Sequence, residues 1–300
     1  MNEKSNFVFL LGAGRSGTTL LYKMLSVHRS VAYLSNYQQR YPEWPSLACL
    51  QRLPNYFPEL KRRSWFQEQG GASFNKRRKW TQFIVPTPAE AEPVYASCGA
   101  PLTPAEDFHL LPRVTNCLRE RFERTLHASG ADVLLSKRTA NNRRIPVLKQ
   151  IFPNAKYIHL VRDGRAVAHS LLQVKWWNDH TLYWTGKTPR QEVAEGANPL
   201  ELAARNWVEE MHSLERGITL IEESKLLEVQ YDELLRPSWS VAAHPAFHGC
   251  GSTGRRHVSG NHRIFASQTK AGGMEPQLDR IRIVHGAGSA WRYSAPLGIS

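Results

Sequence analysis

Apolar residues in this chain fall into short unbroken runs separated by stretches of helical spacing, not into the alternation of a half-exposed sheet. Phe7-Val-Phe-Leu-Leu11 is one such run, and it ends at Gly12-Ala-Gly14. From Thr18 to Val27 the apolar positions Leu20, Leu21, Met24 and Leu25 recur three and four residues apart, which is one face of a helix. Strand, glycine loop and helix are predicted in that order. Further strands are predicted over Val31 to Leu34, Val133 to Ser136, Tyr157 to Val161 and Lys225 to Gln230. Helical spacing covers Arg113 to Leu126, Arg144 to Ile151 (stopped by Pro153) and Leu200 to Ile221. Asp163 is placed as the N-cap of another helix running through Ala166, Val167, Ser170 and Leu171. Strands buried on both faces and alternating with helices imply an α/β protein with three layers and a central, mainly parallel sheet.

Two stretches break the pattern within what reads as one domain over residues 1–300. Tyr33 to Ala96 is rich in aromatic, proline and basic residues with little periodicity, and residues 35–112 are expected to be an insertion bordering a substrate. Residues 237–275 are rich in Gly, Ser, His and Arg and read as an atypical, loop-rich segment.

The chemistry starts at Gly12-Ala-Gly-Arg-Ser-Gly17-Thr-Thr19. A glycine turn between a strand and a helix N-terminus points backbone N–H groups at one spot, which suits a phosphate. The spacing is that of the P-loop G-x-x-x-x-G-K-[ST], except that Thr18 stands where a triphosphate-binding Lys belongs. Lacking that cation, the loop fits a donor with less charge to neutralise. Arg15 and the hydroxyls of Ser16, Thr18 and Thr19 are then the ligands at hand. A second strand-loop-helix junction lies at Val161-Arg162-Asp163, with Ser170 further along its helix. Two junctions on one sheet edge define a cleft.

Composition changes this picture little. The formal charge of +13 implies an anionic partner without naming it. The basic cluster from Lys61 to Lys79 reads as a solvated face. Cys49, Cys98, Cys117 and Cys250 show no C-x-x-C pair, so neither a metal site nor a disulfide framework is expected, and a reducing compartment fits best. Phe7 to Leu11 is too short for a signal peptide or a membrane span, so the protein reads as soluble and cytoplasmic.

GRSGTTLL after a short strand, with YIHLVRDGRAVAHSL downstream, resembles the sulfotransferases that use 3′-phosphoadenosine 5′-phosphosulfate (PAPS). The resemblance extends over most of residues 6–235. It implies transfer of a sulfuryl group from PAPS to an acceptor hydroxyl, with adenosine 3′,5′-bisphosphate released and no metal required. It also implies that Arg15, Ser16, Gly17, Thr18 and Thr19 hold the 5′ phosphosulfate, and that Arg162 and Ser170 hold the 3′ phosphate. Leu135-Ser-Lys137-Arg-Thr-Ala-Asn-Asn is similar to a family segment carrying a Lys near the transferred group. Lys137 is accordingly the catalytic candidate, stabilising charge on the leaving oxygen. Val229-Gln-Tyr231-Asp-Glu is similar to a segment whose Tyr lies near adenine, which makes Tyr231 a candidate base contact.

Other readings stay open at this point. The general base is sought among Glu43, Glu90, Glu92, Glu106, Asp107 and His109, with Glu90 and Glu106 favoured. Trp44, Tyr56, Phe57, Trp65 and Trp80 either line an acceptor pocket or pack together as a small core. Arg255, Arg256 and Arg263 are candidate phosphate ligands in a closing loop. A P-loop kinase of a small molecule is disfavoured by Thr18, and a non-catalytic binder of RNA or polyanions by the presence of two separate phosphate sites, so no nucleic acid is expected. The acceptor and the oligomeric state are not encoded in any motif.

Overall fold

The computed structural model describes residues 6–66, 84–101 and 110–234, all within one compact unit, Met1–Phe265. Five strands form the sheet: β1 (Phe7–Leu11), β2 (Val31–Tyr33), β3 (Val133–Lys137), β4 (Lys156–Val161) and β5 (Leu226–Gln230). Their order is β2-β3-β1-β4-β5, and every neighbouring pair is parallel. Each predicted strand is present, and the sheet is wholly parallel where a mainly parallel one was expected.

Alternation along β1 shows why three layers form. Phe9 and Leu11 belong to one buried cluster, with Leu118, Phe122, Ile145, Leu148 and Leu214. Val8 and Leu10 point the opposite way into a second cluster, with Leu21, Tyr22, Trp65 and Leu234. A strand with apolar residues on both faces needs cover on both, and each such side chain contributes about 1.5–3 kcal/mol when fully buried.

The helices supply that cover. In chain order they are α1 (Thr18–Ser26), α2 (Asn36–Arg40), α3 (Arg52–Tyr56), α4 (Pro58–Trp65), α5 (Glu92–Ser97), α6 (Pro112–Ser129), α7 (Asn141–Ile151), α8 (Gly164–Leu172), α9 (Pro189–Ala194), α10 (Pro199–Ile218) and α11 (Tyr231–Leu234). Asp163 caps α8 as expected, accepting from Arg165 N. Asn198 caps α10 by accepting from Leu200 N and Glu201 N. Helix α7 begins at Asn141, three residues before its apolar period starts, because its first turn carries polar side chains that are buried instead of apolar ones.

The aperiodic stretch after β2 folds as short pieces. Helix α2, a 3-10 segment (Pro45–Gln51), α3 and α4 run down one flank of the sheet and back. Their low periodicity reflects how briefly each one packs. Arg52 donates to the carbonyls of Ala128 (2.8 Å) and His127 at the end of α6, and Asn55 Nδ2 donates to Arg29 O just before β2. These contacts set α3 at the edge where β2 and β3 begin, opposite the edge that carries the glycine loop. Tyr56 and Phe57 are exposed there, and Trp65 is buried in the second cluster. Those three aromatics therefore do not line a pocket at the glycine-loop edge, and Trp80 lies outside the described residues.

Two further expectations are corrected. Lys61, the first residue of the supposed solvated cluster, is fully buried: its Nζ donates to Ser26 O (2.9 Å), capping the end of α1, and lies 5.3 Å from the Trp65 ring centre. Cys98 and Cys117 form a disulfide with Cα atoms 5.5 Å apart, fastening the end of α5 to α6, which removes the cysteine argument for a reducing compartment. Spacing could not reveal the pair because the packing of α5 against α6, not a sequence motif, brings the two sulfurs together. No helix among the described residues is long and apolar enough to cross a membrane.

Candidate active site

At the carboxyl edge of the sheet the chain leaves β1 through Gly12 and turns into α1. Gly12 has φ +146°, and a Cβ there would meet Leu160 O at 2.7 Å, so only glycine fits beside β4. Gly17 has φ +91°, and its Cβ would sit 2.4 Å from the Tyr231 ring. Gly14 has nothing within 4 Å of its would-be Cβ, which leaves the middle of the loop open to a ligand. Ser16 is buried and its Oγ donates to Ala13 O at 2.8 Å, so this hydroxyl closes the turn and does not project into the cradle. Thr18 is buried and Thr19 half-buried at the first turn of α1.

Arg15 of this loop meets Arg162, Ser170 and Tyr231, which come from distant parts of the chain. Arg15, held at φ +68°, donates from Nε to Ser170 Oγ at 3.0 Å. Arg162, at the end of β4, donates to Arg15 O at 2.9 Å and stacks on Tyr231, its Cζ 4.3 Å from the ring centre. Burial, and then the facing Arg162 charge, push the Arg15 guanidinium below its ordinary pKa. Two cations held side by side call for an anion between them.

A second polar cluster is built around the end of β3. Residues after the α4 segment return to the sheet at Thr87 to Ala89: Asn36 N donates to Thr87 O (2.9 Å) and Ala89 N to Leu34 O (2.8 Å). This brings Glu90 against Lys137, whose side chain is almost wholly buried. Glu90 accepts from Lys137 Nζ and from Arg138 NH1. Burial raises the Glu90 pKa, but the Lys137 and Arg138 charges and their hydrogen bonds outweigh it and leave the carboxyl at about 2. Glu92 accepts from Arg138 Nε (2.9 Å) and from both terminal nitrogens of Arg144, which is fully buried and also donates to Pro101 O.

Of the residues named from sequence, Arg15, Gly17, Arg162, Ser170 and Tyr231 are therefore together, and Lys137 is paired with Glu90. Glu106 lies outside the described residues, as do Asp107, His109, Arg255, Arg256 and Arg263. Glu43 is exposed beside Trp44, Arg124 and His127, away from Lys137. Sequence reasoning missed Arg138, Arg144 and Asn142, and it considered Glu92 only as a general base, not as the partner of Arg138 and Arg144. The only available signal was the polar run Lys137-Arg-Thr-Ala-Asn-Asn-Arg-Arg144, unusual for a helix start packed on a sheet. Among the described residues no group of His, Cys, Asp and Glu could hold a metal.

A parallel sheet carries a glycine loop, paired arginines and a buried lysine at one edge, the architecture of a P-loop protein. The chain belongs to the Sulfotransferase family, whose sequence profile matches residues 8–243. The curated relatives include the omega-hydroxy-beta-dihydromenaquinone-9 sulfotransferase Stf3 of Mycobacterium bovis and that of Mycobacterium tuberculosis, each 25% identical over 248 residues. The match covers 76% of this chain and 58% of theirs, so the chain spans little more than half the length of those relatives. Among solved structures, sulfotransferase STF9 from Mycobacterium avium is similar at 17% identity and a TM-score of 0.47, over 77% of this chain and 60% of that one. The sulfotransferase domain from the curacin biosynthetic pathway is similar at 15% identity and a TM-score of 0.41, over 78% and 70%.

Proposed function

We propose that this protein transfers a sulfuryl group from PAPS to a hydroxyl of an acceptor by in-line displacement. The observation that carries the proposal is the convergence of Arg15, Arg162, Ser170 and Tyr231 on the mouth of the glycine loop. PAPS supplies the activated sulfuryl group on its 5′ phosphate. The acceptor hydroxyl oxygen bonds to sulfur and gives up its proton to solvent, the bridging S–O bond breaks, and adenosine 3′,5′-bisphosphate leaves.

The chain's own residues suit this. Backbone N–H groups of the loop and the hydroxyls of Thr18 and Thr19 face the 5′ end of the donor, while Arg162 and Ser170 take the 3′ phosphate, with Arg15 shared between them. Arg supplies the planar fork that matches a phosphate. Gly17 and Tyr231 pack tightly, leaving the outer ring face and edge for the adenine. Lys137 offers its positive charge to the leaving oxygen in a site already sheltered from water. Glu90 is assigned to hold Lys137 in place. A carboxyl held at about 2 by Lys137 and Arg138 is a poor acceptor for a proton from an alcohol, so ion pairing, not general-base chemistry, is the role assigned to Glu90.

Acceptor choice is assigned to residues 35–112, and carbohydrates, lipids and small molecules all remain candidates. The Stf3 acceptor is one hydroxyl compound to try. The cytoplasm stays part of the proposal although the Cys98–Cys117 disulfide counts against it; alkylation of both thiols in protein taken straight from cells supports that compartment, and a protected disulfide overturns it.

Titration calorimetry tests the function. The protein should bind adenosine 3′,5′-bisphosphate, and Arg162→Ala should weaken that binding at least tenfold, about the loss of one charge-assisted hydrogen-bonded pair. Tight binding of ATP with Mg²⁺ and none of the bisphosphate would turn the assignment toward a kinase. Labelled PAPS incubated with candidate acceptors then reads transfer directly.

A further inference from the structure

We infer that Asn142 and Glu210 form a positioning pair that sets where the glycine loop leaves the sheet. The inference rests on the reading of Gly12 to Thr19 as the loop that holds the donor. Asn142, in the first turn of α7, grips both backbone groups of Gly12: Gly12 N donates to its Oδ1 at 3.0 Å, and its Nδ2 donates to Gly12 O at 3.1 Å. The side-chain amide thus acts as a short piece of strand extending the sheet past β1.

The second Nδ2 hydrogen goes to Glu210 Oε2 on α10, at 3.0 Å. Asn142 and Glu210 are both buried, at 1% and 7% exposure. An ionised carboxylate only accepts, so it selects the nitrogen end of the Asn142 amide and turns Oδ1 toward the Gly12 N–H. Reversing the amide would set oxygen against oxygen and N–H against N–H at two buried contacts. Glu210 has work for each oxygen, because Oε1 accepts from Arg143 NH1 at 2.6 Å. A glutamine has one accepting and one donating head and would leave either Asn142 or Arg143 facing a donor.

The pair is anchored on both sides. Gly12 packs close against β4, where a Cβ would meet Leu160 O at 2.7 Å. Arg143 stacks on Tyr183, Cζ to ring centre 4.2 Å, and the Tyr183 hydroxyl donates to Glu209 O. Among the described residues, the hydrogen bonds of Glu210 go to Asn142 and Arg143, not to the loop or to the arginines at its mouth. It acts through Asn142, and Asn142 through the Gly12 backbone, so both are positioning residues.

The test uses Asn142→Ala, Glu210→Ala, Glu210→Gln and the Asn142→Ala/Glu210→Ala double variant of the full chain. The first readout is hydrogen exchange of the Gly12 amide by NMR, with the Leu227 amide in β5 as a control. Exchange at Gly12 should quicken about tenfold in each single variant, about 1.4 kcal/mol, with no further gain in the double variant and no change at Leu227. The second readout is the steady-state split: KM for PAPS should rise about tenfold in Glu210→Ala while KM for the acceptor holds. Unchanged exchange at Gly12 in the Glu210 variants, or effects that simply add in the double variant, would overturn the pairing. If alanine variants fail to fold, Glu210→Gln, which keeps volume, still decides by its Gly12 exchange. If the unaltered protein does not bind adenosine 3′,5′-bisphosphate, the donor reading falls, while the exchange data still judge the clamp.

Discussion

Changing Glu92 to Gln removes one negative charge from a site where Arg144 has no water to turn to. Arg144 is fully buried, and Glu92 accepts from both of its terminal nitrogens. Stranding a buried charge by removing its partner costs about 3–5 kcal/mol. The loss is softened here because the Pro101 carbonyl stays on Arg144 Nε and the Tyr95 ring remains 4.8 Å from its Cζ. Glu92 is also about a quarter exposed, at 23%, so some solvent already reaches its end of the pair. About 2–4 kcal/mol is the expected net cost. At about 2–4 °C per kcal/mol for a domain somewhat smaller than this, the melting temperature should fall by roughly 4–15 °C in differential scanning fluorimetry at neutral pH. Replacing both partners by apolar residues, Glu92→Leu with Arg144→Met, should recover most of the loss, since two matched apolar groups owe no desolvation penalty. A melting point within about 2 °C of the original for Glu92→Gln would refute the claim that Arg144 depends on this carboxylate.

Three other outcomes are expected. Gly17→Ala forces a methyl into the Tyr231 ring at a positive φ, so bisphosphate affinity measured by calorimetry should fall at least tenfold; retained affinity would mean that Tyr231 does not need its present place. Burial lowers Lys23 and Lys61 from 10.5 to about 8. The folded chain therefore releases those protons before the unfolded chain does, and stability should rise as pH climbs from about 8 toward 10.5. Thermal melts across that window should rise less steeply in Lys61→Met, and an equal slope would count against the buried charge. Reducing the Cys98–Cys117 bridge, with a sequence separation of 19, should cost about 3 kcal/mol and lower the melting temperature, whereas a Cys98→Ser/Cys117→Ser protein should ignore dithiothreitol.

Sequence by itself determined the strands, the glycine loop and the α/β class. A run such as Phe7 to Leu11 can be buried on both faces only inside a layered sheet, and a G-x-x-x-x-G turn imposes its own backbone. That Arg162 and Ser170 meet at the loop was implied by the family resemblance, and the structure brings both to Arg15. Tertiary structure alone decided which charges meet. Lys137 finds Glu90 47 residues away, and Asn142 finds Gly12 at 130. No periodicity encodes such partners, because topology, not local spacing, sets the distance between them. For the same reason Lys61 passed for a surface charge: burial of a lysine depends on whether a helix end happens to present carbonyls to it. Tyr56 and Phe57 looked fit for a substrate pocket by composition, yet the path of the chain after β2 carries them to the far edge of the sheet. Local rules fix the parts and the loop that grips an anion, and the crossing of the chain fixes what surrounds it.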